Sequence, residues 1–289
     1  MKTLKNDILT IGVKDHGAEL CSIRKGDTEY LWQADPAFWT RHSPVLFPIV
    51  GSVWNGCFKV GGDEYRMGQH GFARDMDFTL IDHAEDRIRY RLESSDETLA
   101  KYPWPFSLEI AYRLRGNKVD VIWEVTNRSD HPMPFQIGAH PAFYYPDYKA
   151  DTKERGFFSF DRSEDIEYIL IKEKGCADPE AKYPLQLKDG MLPIDTSSFD
   201  RDAFIIEDSQ VGKVTLHRQD GTPWLALSFD APLVGLWSPP GKNAPFVCIE
   251  PWYGRCDRVG FDGQFVDRDW VNVLSPGDTF HGEYSIEIL

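Results

Sequence analysis

Apolar and polar residues alternate with a period of two in segment after segment of this chain. That pattern leaves few options besides stacked or closed β-sheets. Arg87–Glu93 is representative: Ile88, Tyr90 and Leu92 share one face, and Arg87, Arg89, Arg91 and Glu93 take the other. Residues 8–13, 18–24, 106–114, 118–125, 213–217, 224–229, 234–237, 246–249 and 284–288 read the same way. Between them Gly and Pro recur as punctuation, and Arg115-Gly116-Asn117 is a short hairpin signal joining two long strands. Helical signals are few. The sequence predicts one turn at 35–39, with Asp35 as N-cap and Pro36 in the first position, and a short surface helix at 95–102 stopped before Pro103. The expectation is an all-β chain with few short helices, one domain over 1–289, and a sandwich or barrel architecture. Residues 146–200 are the least regular and read as a long insertion rather than a boundary.

The formal charge of -14 argues against a nucleic-acid or membrane partner, both of which call for basic patches. A small anionic ligand stays open, because one or two local arginines suffice for it. The five cysteines are scattered without a CxxC pair, which indicates neither a zinc site nor a disulfide framework. The N-terminus has no apolar leader, so a cytoplasmic protein is expected. Aromatics are plentiful, with nine Trp; they suit a large β core and also a site that stacks on sugar rings.

Four stretches depart from ordinary strand or turn: 41–51, 68–75, 136–143 and 246–254. In the last, Glu250 stands among Cys248, Ile249, Pro251, Trp252 and Tyr253, and a carboxylate in such company needs a partner or a task. His140 has an equally apolar neighbourhood, and both residues precede a proline that biases them to extended backbone at what reads as a strand end. Together they suggest an acid/base pair; the plainer reading of His140 is a core histidine bonded to backbone. His70 precedes Gly71, which permits close backbone approach to a ligand, and Arg74 carries a planar fork for a hydroxyl, carboxylate or phosphate. The plainer reading pairs Arg74 with Asp75 or Asp77. Arg41 could complement Arg74 or be a rim charge, and Asp202 could cap a turn or accept from substrate hydroxyls. A metal set of His70, His140 and Glu250 is conceivable, but no metal or cofactor is expected.

Taken together, Pro44-Val-Leu-Phe-Pro48, Gln69-His-Gly-Phe-Ala-Arg-Asp75, Gly138-Ala-His-Pro-Ala-Phe143, Asp202-Ala203 and Cys248-Ile-Glu-Pro-Trp-Tyr-Gly254 resemble the aldose 1-epimerase (galactose mutarotase-like) family, in particular its LacX-like branch. The resemblance implies a large antiparallel β-sandwich with a cleft on one sheet, and interconversion of sugar anomers without a cofactor. It implies Glu250 as general base and His140 as general acid, with His70, Arg74, Asp202, Arg41 and Trp252 as the substrate-binding set. The partner would be a small sugar, a free aldose or a sugar phosphate, and the protein a monomer or homodimer. A related hexose 6-phosphate branch carries an Arg-Gly-Gly stretch where this chain reads Arg41-His-Ser-Pro44. A free aldose is therefore favoured. A non-catalytic sugar sensor and a glycoside hydrolase using Glu250 and Asp202 are the competing readings.

Overall fold

The computed structural model describes residues 1–289, and strands dominate it. Nine antiparallel strands form the larger sheet. Their order is Met191–Asp195, Glu154–Phe160, Lys213–His217, Pro223–Phe229, Thr279–Ile288, Lys118–Asn127, Phe106–Arg115, Arg87–Glu93 and Thr79–His83. The outer face of this sheet carries the polar half of the alternation. There Glu109 and Glu124 lie directly opposite each other, a repulsive pairing. Arg89 resolves it by donating to Glu109 at 2.8 Å and to Glu124 at 3.0 Å.

The inner face carries Trp123, Phe106 and Phe280, which meet Tyr253 of the second sheet, Phe47 just after its edge strand, and Phe135 of a small two-stranded sheet beside it. One cluster of 60 buried residues runs through this interface. The second sheet has the order Phe204–Ile206, Leu233–Trp237, Phe246–Tyr253, Ile137–Ala139 and Val45–Leu46, and Ala142–Tyr144 also pairs with Phe246–Tyr253. A four-stranded meander, Lys2–Lys5 to Thr28–Glu29, adds a third layer element at the N-terminus.

The α-helix falls at Asp96–Leu99, where Ser95 and Thr98 form a reciprocal capping box. At 35–39 the single expected turn forms: the Asp35 side chain accepts from the Ala37 N–H and its carbonyl from those of Phe38 and Trp39, and no longer helix propagates. Two expectations need correction. Residues 146–200 are not wholly an insertion, because Glu154–Phe160 and Met191–Asp195 form one edge of the nine-stranded sheet. And Glu250 is not at a strand end, because Phe246–Tyr253 runs straight through Pro251.

Candidate active site

The strand Phe246–Tyr253 has a core face and a site face. Val247 and Ile249 belong to the main core, whereas Cys248 and Trp252 belong to separate clusters on the opposite face, the face that Glu250 shares. The register on its neighbour pairs Gly138 with Trp252 and Ala142 with Cys248, which sets His140 opposite Glu250. Ile249 donates its N–H to the Pro141 carbonyl at 3.4 Å, so His140 and Glu250 meet at the intervening non-hydrogen-bonded position, where side chains come closest. The two prolines explain how a strand tolerates this. Pro251 offers no N–H toward Ala139, and the Ala139 carbonyl takes the indole N–H of Trp252 instead, at 3.2 Å. The Trp252 ring lies over glycines on both flanking strands. A Cβ at Gly138 would stand 2.6 Å from it and one at Gly235 2.4 Å.

The result is a His140 Nε2 to Glu250 Oε2 separation of 3.3 Å, with both side chains buried. They form the floor of a cavity of about 310 Å³, a size suited to a small ligand. Of the residues singled out in the sequence, His70, Arg74, Asp202 and Trp252 line the same cavity. Arg41 does not line it; its guanidinium donates to Asp75 at 2.8 Å, as a rim charge does. The Glu250-bearing stretch and three segments far from it in sequence thus converge.

His70 is held with unusual firmness. It adopts φ 65° and is followed by Gly71 at φ 69°, whose Cβ, if present, would lie 2.2 Å from the Phe47 carbonyl oxygen. Its N–H donates to the Gly51 carbonyl at 2.7 Å, and the Gly51 N–H donates to its Nδ1 at 3.0 Å. Because Nδ1 accepts, the proton of the neutral ring sits on Nε2, which makes that nitrogen a donor. Burial, then the neighbouring His140 and Arg74, push the His70 pKa well below its usual value, so the ring stays neutral. Arg74 donates to the Gln69 carbonyl at 2.7 Å, while its Nε is buried without a hydrogen bond, 3.8 Å from the Asp75 carboxylate in the ion pair that the plainer reading predicts. Burial and the adjacent Arg41 lower it to about 10, and it remains cationic at neutral pH.

Burial, with Arg74 second, pushes His140 down to about 3. Burial, with Asp202 second, pushes the Glu250 carboxyl well above its usual value. Both shifts act the same way: in this buried place a neutral imidazole facing a neutral carboxyl is favoured over an ion pair.

Three wall elements carried no signal in the sequence. Trp39 stacks on the His140 ring at 4.8 Å and 28°, and Trp237 meets it edge-on at 5.4 Å. The hairpin Ile171–Glu173 with Cys176–Ala177 supplies Ile171 and Gly175 to the cavity wall. The conceivable metal set is also revised. His140 and Glu250 share a ligand-spaced cluster with Cys248, and His70 is not in it. A second such cluster, Glu19, Cys21 and His42, lies elsewhere.

The sequence profile of the family described as Aldose 1-epimerase matches residues 1–286. Protein LacX (chromosomal) of Lactococcus lactis subsp. lactis is 33% identical over 295 aligned positions, covering 99% of this chain and 98% of its own. Among solved structures, a galactose mutarotase related enzyme from Lactobacillus acidophilus superposes with a TM-score of 0.92 at 33% identity, covering 100% of this chain and 97% of its own. A galactose mutarotase-like protein from Lactobacillus casei gives 0.94 at 29% identity, with 100% of both chains covered.

Proposed function

Since this chain belongs to the aldose 1-epimerase family, we propose that it interconverts the α and β anomers of an aldose by opening and reclosing the sugar ring in this cavity. The observation that carries the reading is the His140–Glu250 pair, 3.3 Å apart and buried on the floor of a cavity lined by hydrogen-bonding groups. Anomer exchange requires one proton to leave the C1 hydroxyl and one to reach the ring oxygen. The free aldehyde then turns about C1–C2 and recloses on its other face. Two facing groups holding a single proton between them can make that exchange and return to their starting state.

In the assigned roles Glu250 takes the C1 hydroxyl proton and His140 supplies the ring oxygen. That requires the pair's proton to cross from carboxyl to imidazole first. A bound sugar favours the crossing, because its hydroxyls replace bulk water with fixed dipoles around the ion pair. His70 Nε2–H and Arg74 act as donors to ring substituents, and Asp202 acts as an acceptor. One Asp202 oxygen is already engaged by the Ala203 N–H at 2.8 Å, leaving the other for the sugar. Trp39, Trp237 and Trp252 offer apolar faces for the ring.

The test is NMR exchange between anomers across free aldoses and their 6-phosphates. Glu250→Gln and His140→Ala are each expected to lower the exchange rate by ~10²-fold or more while the fold persists. Full activity in both variants would sink the proposal. A sugar 6-phosphate is the second reading, favoured by the cationic Arg74 on the cavity wall, whose buried Nε makes no hydrogen bond. Against it, Asp75 already holds Arg41. Saturable sugar binding with no exchange above the spontaneous rate would point to a sensor instead. A cytoplasmic setting is in keeping with five unpaired cysteines, and no helix is long and apolar enough to cross a membrane.

A further inference from the structure

Directly beneath the cavity floor lies a group that the sugar chemistry does not use. Cys248 sits two residues before Glu250 on the same face of one strand, and His140 projects from the strand alongside. One ligand atom from each of the three residues lies within 4.8 Å of the others. All are buried: Cys248 is 0% exposed, Glu250 1% and His140 7%. Glu250 Oε2 is buried without a hydrogen-bond partner, and the imidazole nitrogen facing it, His140 Nε2, stands 3.3 Å away. A buried carboxylate oxygen without a hydrogen bond, between an imidazole nitrogen and a thiol, is what a metal ion can satisfy.

We propose that a soft divalent cation of the zinc class binds between Cys248, His140 and Glu250 and, while bound, blocks proton transfer by the pair. Binding stands on the geometry alone; the block rests on the epimerase reading. A sulfur, an imidazole nitrogen and a carboxylate oxygen form a donor set that zinc accepts. In a zinc tetrahedron neighbouring ligand atoms stand roughly 3.5 Å apart, so the three side chains need to draw in by only about 1 Å. His140 and Glu250 also line the cavity, from which water or a sugar hydroxyl would supply the fourth ligand.

Charge also closes. The cation displaces two protons to solvent, one from the thiol and one from the His140–Glu250 pair. It leaves a dication facing a thiolate, a carboxylate and a neutral imidazole, for a net charge of zero in a buried place. Arg74 and Arg41, whose fields reach His140, oppose the ion, and Asp202, whose field reaches Glu250, offsets them. In the other ligand-spaced cluster His42 Nδ1 is also unpartnered, but the carboxylate is already engaged. Glu19 there already holds the Lys14 ammonium and the backbone N–H groups of His42 and Ser43.

Cadmium serves as the probe, because a thiolate–cadmium bond gives an ultraviolet charge-transfer band independent of any enzymatic activity. The intact protein is expected to show the band at one equivalent. Cys248→Ala is expected to lose it and to bind zinc at least ~10-fold more weakly by calorimetry, with its fold checked by circular dichroism. Cys21→Ala is expected to keep both. Zinc is then expected to inhibit anomer exchange in the intact protein, and Cys248→Ala, active without metal, to resist that inhibition at the same concentration. Absence of the band in the intact protein, or its survival in Cys248→Ala, overturns the site. A band that appears normally while zinc leaves exchange untouched overturns the block. A protein that shows the band but exchanges no sugar overturns the epimerase reading and leaves the metal site standing.

Discussion

Glu19 anchors the segment that covers the candidate site, and replacing it by Gln tests how. One carboxylate oxygen accepts the N–H groups of His42 and Ser43 at 2.8 and 3.0 Å, and the other pairs with the Lys14 ammonium. Burial by itself would raise the carboxyl, but contact with the His42 side chain, Lys14 and the His42 backbone outweighs it and holds the pKa at about 2, against the usual 4.5. The His42 ring nitrogen is 3.7 Å away, so the backbone N–H groups and Lys14 are the stronger partners.

A carboxyl depressed in the folded state contributes stability that is complete above its unfolded pKa and drains away as pH falls from 4.5 toward 2. A depression of roughly 2.5 units at ~1.36 kcal/mol per unit amounts to about 3 kcal/mol at neutral pH. Glu19→Gln keeps a carbonyl for the backbone donors but removes the charge. It is expected to be ~2–3 kcal/mol less stable than the intact protein at neutral pH, and the gap should close as pH approaches 2. Urea unfolding at a series of pH values reads this directly. A deficit that stays constant across the series, or one below about 0.5 kcal/mol at neutral pH, refutes the electrostatic account. The Ala142 N–H donates to the His42 carbonyl at 3.0 Å, two residues from His140, so anomer exchange is expected to slow alongside.

Two other substitutions separate packing from recognition. Gly235→Ala would put a Cβ 2.4 Å from the Trp252 ring, and the ring can yield only toward the cavity. A loss of ~1–3 kcal/mol in stability, together with a raised KM for sugar, is expected; an unchanged KM would show that Trp252 does not bound the sugar. Arg74→Met removes the cationic fork from the wall. If the substrate carries phosphate, its KM is expected to rise ~10-fold or more while a free aldose changes less, in line with the larger worth of charged hydrogen bonds. Equal effects on both exclude a phosphate contact at Arg74.

The sequence revealed most where burial is one-sided. Arg87–Glu93 and Lys213–His217 were bounded to the residue because one face of each strand meets the core and the other meets solvent, which writes the alternation into the residues. In the site sheet both faces are covered. Seven consecutive residues of Phe246–Tyr253 are buried, so alternation vanishes and the proline reads as an end. The pairing of His140 with Glu250 was legible as two proline-flanked residues in apolar company. What placed them opposite each other, a register shared across more than a hundred residues, was not. Trp39 lies still further from any local signal. It comes from a turn that the Trp32 indole holds by donating to the Trp39 carbonyl at 2.8 Å, and its contact with His140 exists only once the sheet is assembled. Arg41 shows the converse: its sequence allowed either an anion site or a rim charge, and in the structure it donates to Asp75 while its field still reaches His140. The protonation state of the pair is the feature least accessible from sequence. It depends on how far Glu250 and His140 are withdrawn from bulk solvent, and that enclosure is made by Trp39, Trp237, Trp252 and a hairpin, of which only Trp252 lies near either group in the chain. The acid/base chemistry therefore belongs to the enclosure as much as to the two residues. Opening it, for instance by Trp39→Ala, should return His140 and Glu250 toward ordinary pKa values and narrow the gap between them that burial creates.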